Sequence, residues 1–478
     1  MLFNSLDFAI FLPIVFILYW FVFNKHLKNQ NALIVLASYV FYGWWDWRFL
    51  SLILFSTMVD YIVGLKMSEQ KNQKKRKVLL WISICVNLGF LGFFKYYNFF
   101  LDNFITAFSF FGTEIQANTL NIILPVGISF YTFQTLSYSI DVYRKKLEPT
   151  KNLIAFAAFV SFFPQLVAGP IERATNLLPQ FYKKRTFNYI KAVDGLRQIL
   201  WGLFKKMVIA DNCAVFVNTI FDNHQDYSGS TLVLGAVFFA FQIYGDFSGY
   251  SDIAIGTARL FGFNLMQNFA FPYFSRDIAE FWRRWHISLS TWFRDYLYIP
   301  LGGSLGSKSK VIRNVFIIFI VSGFWHGANW TFIVWGALNA LYFLPLLLTN
   351  KNRNHLEIVA SKSKWPSAKT LVNILITFGL TTLAWIFFRA ENISHALQYL
   401  KGIGNASLLS IPEIRPTYLL VLLIFFITIE WLGRRDQYAI ETLGFTWKRP
   451  LRLVFYYVII ITIFWFNRNE QTFIYFQF

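Results

Sequence analysis

Charged residues are scarce in this chain. They make up 14% of its 478 residues, whereas about a quarter of a soluble domain is charged. Cysteine is nearly absent: Cys85 and Cys213 both lie in apolar segments, without disulfide or metal-ligand spacing. The Walker loop, the dinucleotide glycine fingerprint and the H-E-x-x-H pair are all missing. The low charge content argues against soluble multi-domain proteins, and the missing motifs leave no signature of a bound metal or cofactor.

The chain is instead rich in long apolar segments. Hydrophobic residues account for 56% of it and aromatic residues for 21%. Apolar runs long enough to cross a bilayer recur from end to end, which predicts an all-α polytopic bundle of about eleven spanning or re-entrant segments. Residues 1–478 are predicted to form a single integral membrane domain. Within it, "FFPQLVAGPIER" carries Pro164 and Pro170, which predicts a re-entrant loop or a broken helix.

The net charge of +19 has a simple explanation in such a protein. The basic residues cluster in short loops between apolar runs, which is the pattern of loops on the cytoplasmic side of a membrane. Nucleic acid is therefore not expected as a partner, and membrane lipids are. The loop "KMSEQKNQKKRK", Lys66 to Lys77, is predicted to be cytoplasmic, and counting back three spans places the N-terminus outside the cytoplasmic (inner) membrane. The first apolar run has no cleavage signature and is interpreted as a retained span.

Two of the six histidines lie in aromatic, membrane-associated sequence, namely His286 and His326. If the segment around His326 is helical, Asn329 and Trp330 share its face. One interpretation is structural, because Gly323 and Gly327 are four residues apart and would allow close helix packing with the imidazole hydrogen-bonded to a neighbour. The other is functional, because histidine is the side chain best suited to accept and return a proton near neutrality. The residues alone do not separate the two.

His286 lies within "SRDIAEFWRRWHISLSTWFRDYLYIPLGGS", Ser275 to Ser304. Aromatic residues recur there at helical spacing, which predicts one amphipathic interfacial helix with His286 on its buried stripe. Arg283, Arg284 and Arg294 belong to a basic collar that would attract anions. Phosphates of a large cofactor and anionic lipid headgroups fit this collar equally well.

Two carboxylates also lie in apolar surroundings. Asp246 and Asp252 occur in "YGDFSGYSDIAIG", and carboxylates at such depth are costly and default to function. The structural alternative is an ion pair with an arginine such as Arg259 or Arg276. Together with His326, these carboxylates would also suit a transporter or channel.

Several long segments resemble the membrane-bound O-acyltransferase (MBOAT) family. "FWRRWHISLSTWFRDYLYIPLGGS" and "FIVSGFWHGANWTFIVWGALNAL" carry most of the likeness, and "LPVGISFYTFQTLSYSIDVYR", "DFSGYSDIAIG" and the tail "FIYFQF" extend it over nearly the whole chain. The likeness is to a bacterial branch that includes alginate O-acetyltransferase, a peptidoglycan O-acetylation component and a D-alanyl transfer protein. It implies a donor such as acetyl-CoA arriving from the cytoplasm, no bound cofactor, and a separate extracytoplasmic partner, for instance an SGNH-type acetyltransferase acting on a polysaccharide.

The resemblance also assigns roles to residues. His326 matches the embedded catalytic histidine of the family, which would take the acceptor proton, and His286 matches its second polar position. The remaining expected substrate contacts are Asn329 as an oxyanion donor, Trp325, Asp246, and the arginines Arg283, Arg284 and Arg294 for CoA phosphates. The leading hypothesis is O-acetylation of an exported polysaccharide such as alginate or peptidoglycan. D-alanyl transfer to teichoic acid and non-catalytic transport are the alternatives.

Overall fold

The computed structural model describes residues 1–112, 118–167, 169–466, 471, 473 and 474. Every regular element within these ranges is helical, which confirms the predicted all-α class for the described part of the chain. Of the tail sequence "FIYFQF", only Phe473 and Ile474 lie inside the described residues.

Six helical stretches in the described residues are long and apolar enough to cross a membrane. They are Leu27–Glu69, Gln73–Phe110, Gly229–Leu260, Trp330–Leu348, Ala368–Arg389 and Arg449–Phe466. Three shorter apolar stretches accompany them, at Leu6–Val22, Leu153–Leu166 and Thr417–Leu432. These dimensions are those of a polytopic helical bundle, as predicted.

The chain divides into two compact units. The first comprises residues 1–192 and 257–266, and the second comprises residues 193–256 and 267–478. The helices of the first unit are α1 (Leu6–Ile17), α2 (Leu27–Asp46), α3 (Leu50–Glu69), α4 (Gln73–Leu91), α5 (Tyr97–Phe110), α6 (Ile128–Tyr143), α7 (Leu153–Ser161), α8 (Phe163–Leu166) and α9 (Ala174–Leu177). Helix α10 (Tyr189–Leu203) begins in the first unit and continues into the second.

The second unit contains the remaining helices, and the last turn of α12 belongs to the first unit. They are α11 (Asp211–Asp222), α12 (Gly229–Leu260), α13 (Ile278–Arg284), α14 (Ile287–Phe293), α15 (Lys308–His326), α16 (Trp330–Leu348), α17 (Ala368–Arg389), α18 (Ile393–Ile403), α19 (Thr417–Leu432) and α20 (Arg449–Phe466). A single domain over 1–478 stays a prediction.

Helix starts follow local side-chain chemistry. Asn72, Asn152 and Asp277 precede α4, α7 and α13, and each side chain accepts a hydrogen bond from a backbone N–H in the first turn. Such caps satisfy donors that the helix itself leaves open. The short polar stretches between apolar runs therefore fix where these helices begin.

The proline-containing segment is broken as predicted. Helix α7 ends at Ser161, and Pro164 lies in the first turn of the short helix α8, where its missing N–H costs little. Gly127, just before α6, has a φ of +74°, and a Cβ there would lie 2.7 Å from the carbonyl oxygen of Leu166. Glycine at this position therefore lets the α6 start approach α8 closely.

A carboxylate at the centre of the first unit connects three helices. Asp60 on α3 is fully buried and accepts hydrogen bonds from Ser83 and Asn87 on α4 and from Ser139 on α6. No cation forms an ion pair with Asp60 among the described residues. Hydrogen bonds alone therefore hold this buried acid, in the manner of polar contacts between membrane helices.

Replacing Asp60 with alanine should destabilise the protein, because three buried donors lose their acceptor at about 1–3 kcal/mol each when left unpaired. Asp60→Asn keeps one acceptor oxygen and nearly the same volume, so it should be milder. Thermal unfolding of the two variants in the same detergent measures the difference. Equal unfolding temperatures for the alanine variant and the wild type would show that these helices do not depend on the carboxylate.

Candidate active site

The chain reverses direction at His326. Helix α15 ends at His326, and α16 begins at Trp330 with the Asn329 side chain accepting from the Thr331 N–H. The prediction that His326, Asn329 and Trp330 share one helical face is therefore wrong. Gly327 makes the extended link, and a Cβ at this position would lie 2.0 Å from the Phe332 ring. Position 327 requires glycine because the Phe332 ring occupies the space that a side chain would need.

Glycines allow α15 and α16 to pack tightly. A Cβ at Gly323 would lie 2.2 Å from the Phe332 carbonyl oxygen, and one at Gly336 would lie 2.3 Å from the Phe319 carbonyl oxygen. Backbone atoms cannot yield at such distances. The structural interpretation therefore holds for Gly323, whose partner across the helix contact is Gly336, but not for Gly327, which lies beyond the end of α15.

The imidazole of His326 is enclosed by aromatic rings. Its ring centroid lies 5.0 Å from that of Trp325, 5.2 Å from Trp335 and 5.3 Å from Phe388. The residue is 3% exposed. The imidazole is therefore buried within an aromatic cluster.

His286 occupies a break between two helices. Helix α13 ends at Arg284 and α14 begins at Ile287, so the single amphipathic helix predicted over this segment is wrong. The φ of His286 is +43°, a left-handed backbone that is strained for a side chain other than glycine. Asn268 fastens the following turn through its backbone carbonyl to Ile287 and its side-chain oxygen to Ser288. His286 is buried, as predicted, but at a break between two helices rather than within one.

The His286 imidazole is fully buried, and neither ring nitrogen has a hydrogen-bond partner among the described residues. Its centroid lies 4.6 Å from that of Phe247 and 6.1 Å from that of Trp325. Burial lowers the pKa of His286 to about 3, so the ring is neutral at physiological pH. A buried imidazole with both nitrogens unpaired is unusual in a purely structural position.

The structure brings the two histidines together. Their ring centroids are 6.4 Å apart. An imidazole can accept a proton or donate a hydrogen bond, so two of them at this separation are candidates for acid–base chemistry.

The buried aspartates form ion pairs with lysines, whereas the structural alternative considered from the sequence was an arginine such as Arg259 or Arg276. Lys206 pairs with Asp246 at 2.8 Å, and Lys205 pairs with Asp252. Both lysines lie in a π-helical turn, Phe204–Ala210. The signal was two adjacent lysines inside a predicted span. Asp246 also accepts the Ile474 N–H at 2.6 Å, which anchors the C-terminal segment.

The predicted arginine collar is largely occupied by protein. Arg284 pairs with Glu280, and Arg283 donates to the carbonyl oxygens of Asn352 and His355. Arg294 is exposed and pairs with Asp295. The contacts of Arg283 and Arg284 occupy donors that were expected to bind phosphates, and a phosphate role for the three arginines stays a prediction.

The two other predicted contacts differ in their surroundings. Trp325 lies against both histidines, as its ring distances show. The amide nitrogen of Asn329 donates to the Glu391 carbonyl at 2.7 Å, while its oxygen caps α16. Trp325 therefore packs against the two histidines, whereas both polar atoms of the Asn329 side chain are used in hydrogen bonds to the backbone.

The fold is that of a polytopic helical membrane protein, with two buried histidines close together in its second unit. The chain belongs to the membrane-bound O-acyltransferase family: the MBOAT family model matches residues 147–388, a range that includes both histidines. It is therefore an acyltransferase.

The chain is similar to several bacterial acyltransferases. The probable alginate O-acetylase AlgI of Pseudomonas putida is 37% identical over the full length of both chains. The peptidoglycan O-acetyltransferase of Helicobacter pylori is 38% identical over 84% of this chain and 79% of its own. The teichoic acid D-alanyltransferase of Bacillus subtilis is 29% identical over 58% of this chain and 71% of its own.

Proposed function

We propose that this acyltransferase takes acetyl groups from cytoplasmic acetyl-CoA for O-acetylation of an exported cell-surface polysaccharide of the alginate or peptidoglycan type. The observation that carries the proposal is the pair of buried imidazoles, 6.4 Å apart, in a chain similar along its whole length to an alginate O-acetylase. A thioester donor and a hydroxyl acceptor suit such a pair, because acyl transfer needs one proton removed and one oxyanion stabilised.

The chemical step follows from these roles. His326 takes the proton from the acceptor hydroxyl, whose oxygen attacks the thioester carbonyl carbon. His286 is neutral and donates its ring N–H to the carbonyl oxygen as negative charge develops there. The carbon–sulfur bond then breaks, and the proton held by His326 passes to the departing thiolate. The products are an acetyl ester and free CoA.

Orientation and partner are further parts of the proposal. The protein resides in the cytoplasmic membrane with its N-terminus outside, because the basic segment Lys66 to Lys77 is then cytoplasmic. An extracytoplasmic SGNH-like acetyltransferase receives the acetyl group and delivers it to the polysaccharide. This division is consistent with a donor and an acceptor on opposite sides of the membrane.

D-alanyl transfer to teichoic acid is the second candidate, supported by the Bacillus subtilis relative. That likeness covers a smaller share of the chain at lower identity than the O-acetylase likeness. Transport without chemistry is not favoured, because the chain belongs to a family of acyltransferases.

The acyl group can be identified in cells. Deleting the gene should remove acetate esters from the envelope polysaccharide and leave D-alanine esters unchanged. Mild alkaline hydrolysis followed by mass spectrometry of the released acids measures both. Restoring the wild-type gene should restore acetate. Loss of D-alanine with acetate intact would favour the second candidate.

A further inference from the structure

A cavity of about 310 Å³ lies in the first unit, and neither His286 nor His326 is among its lining residues. Trp20, residues from Gln180 to Lys191, and residues from Arg259 to Asn264 line it. Its size is within the range of small-ligand pockets. Five basic residues are in the lining and no acidic one is: Lys183, Lys184, Arg185, Lys191 and Arg259.

Arg185 is the buried basic residue in the lining of this cavity, and the protein holds its side chain in place. It is 8% exposed, and its terminal nitrogens donate to the Gln180 carbonyl at 3.1 Å and to the Asn31 side chain at 2.6 Å. Its guanidinium carbon lies 4.7 Å from the centre of the Phe263 ring. These contacts hold the planar group in one orientation before any ligand arrives.

The charge of Arg185 is not compensated by the protein. Among the described residues no carboxylate forms an ion pair with it, and its Nε, which is buried, has no hydrogen-bond partner. Lys183, Lys184 and Lys191 form no ion pair with described residues either. A buried cation without an anion is costly, so this arrangement favours a ligand that brings negative charge.

Ordinary basic loops of membrane proteins do not account for this arrangement. Lys74 and Lys75, at the start of α4, are equally basic but simply exposed. Around Arg185, by contrast, the chain curls back after α12 through Gly262, which has a φ of +81°, and the basic residues converge on one concavity. Convergence of several cations on one cavity is what distinguishes a binding site from a solvated loop.

We propose that this cavity binds the phosphate group of an anionic ligand. The planar guanidinium of Arg185, together with the ammonium groups of the exposed lysines beside it, matches phosphate oxygens in geometry and charge. The phosphate could come from the headgroup of an anionic phospholipid or from the nucleotide end of coenzyme A. This inference rests on the cavity alone and not on the proposed function.

Binding to the purified full-length protein in uncharged detergent tests the proposal. The probes are phosphatidylglycerol, whose retention native mass spectrometry reports, and coenzyme A, whose affinity calorimetry reports. The test variant combines Lys183→Gln with Lys184→Gln, both exposed positions that should not disturb the fold. The control combines Lys74→Gln with Lys75→Gln, which removes the same charge elsewhere.

The test variant should bind one of the two probes about tenfold more weakly than the control does, as expected for losing charge-assisted contacts to phosphate. Weaker lipid retention identifies a headgroup, and weaker coenzyme A binding identifies the nucleotide. If both probes bind the two variants alike, the cavity is not a phosphate site and the proposal fails. His326→Ala leaves this binding unchanged, so failure here is distinguishable from failure of the proposed acetylation.

Discussion

Replacing His326 with alanine should lower acetyl transfer at least about a hundredfold, because a positioned general base contributes roughly 10²- to 10⁴-fold. The measurement is polysaccharide acetyl content in a deletion strain that carries the variant at wild-type membrane abundance, together with CoA release by the purified protein. His326→Gln provides a variant of similar size that cannot act as a base, and it should be equally impaired.

The matched control is His26→Ala. His26 is exposed just before α2, and its side chain makes no capping bond. This variant should acetylate like the wild type. If His326→Ala also retained normal acetylation at equal abundance, the catalytic role of that imidazole would be refuted.

Gly323→Ala should destabilise the second unit. The added Cβ would lie 2.2 Å from the Phe332 carbonyl oxygen, so α15 and α16 must separate. Overpacking typically costs about 1–3 kcal/mol and sometimes more, which exceeds the gain of up to about 1 kcal/mol from helix propensity. Thermal unfolding in detergent should show a lower midpoint, and activity should fall because His326 lies three residues further along the same helix.

Gly379→Ala is the control for this prediction. Gly379 lies inside α17, and a Cβ there meets no atom within 4 Å. The same chemical change should therefore leave stability unchanged or raise it through helix propensity. Equal behaviour of the two variants would mean that the α15–α16 contact tolerates a wider separation than the backbone distances imply.

The two predictions separate position from chemistry. His326→Gln leaves the glycine contact intact and removes the base, whereas Gly323→Ala leaves the base and displaces it. Loss of activity in the first with normal unfolding, and loss of both in the second, is the expected pattern. It would assign the glycines to placing the imidazole and the imidazole to proton transfer.

Composition was sufficient to predict the class of fold. Apolar runs must satisfy every backbone group internally in a bilayer, so they become helices whatever their neighbours are. The break at Pro164 follows from the same local rule, because proline lacks an N–H. His326 also stood out, since a polar ring in so apolar a segment needs a reason.

Long-range contacts could not be predicted in this way. Periodicity suggested one helix through His286, but the chain breaks there because Asn268 captures the next turn from a distant position. The partners of Asp246 and Asp252 were likewise not foreseen. Lys205 and Lys206, which pair with them, lie in a π-helical turn that regular helical spacing does not predict. Such contacts depend on the path of the whole chain.

The sequence by itself determined that this protein is a bundle of membrane helices with an embedded histidine, because hydropathy and helix breakers act locally. Only the tertiary structure decided that His286 lies close to His326, that Arg283 and Arg284 are held by internal contacts, and that Arg185 lines a basic cavity. The physical reason is that burial and pairing of polar groups are properties of the assembled helices, which no single segment contains.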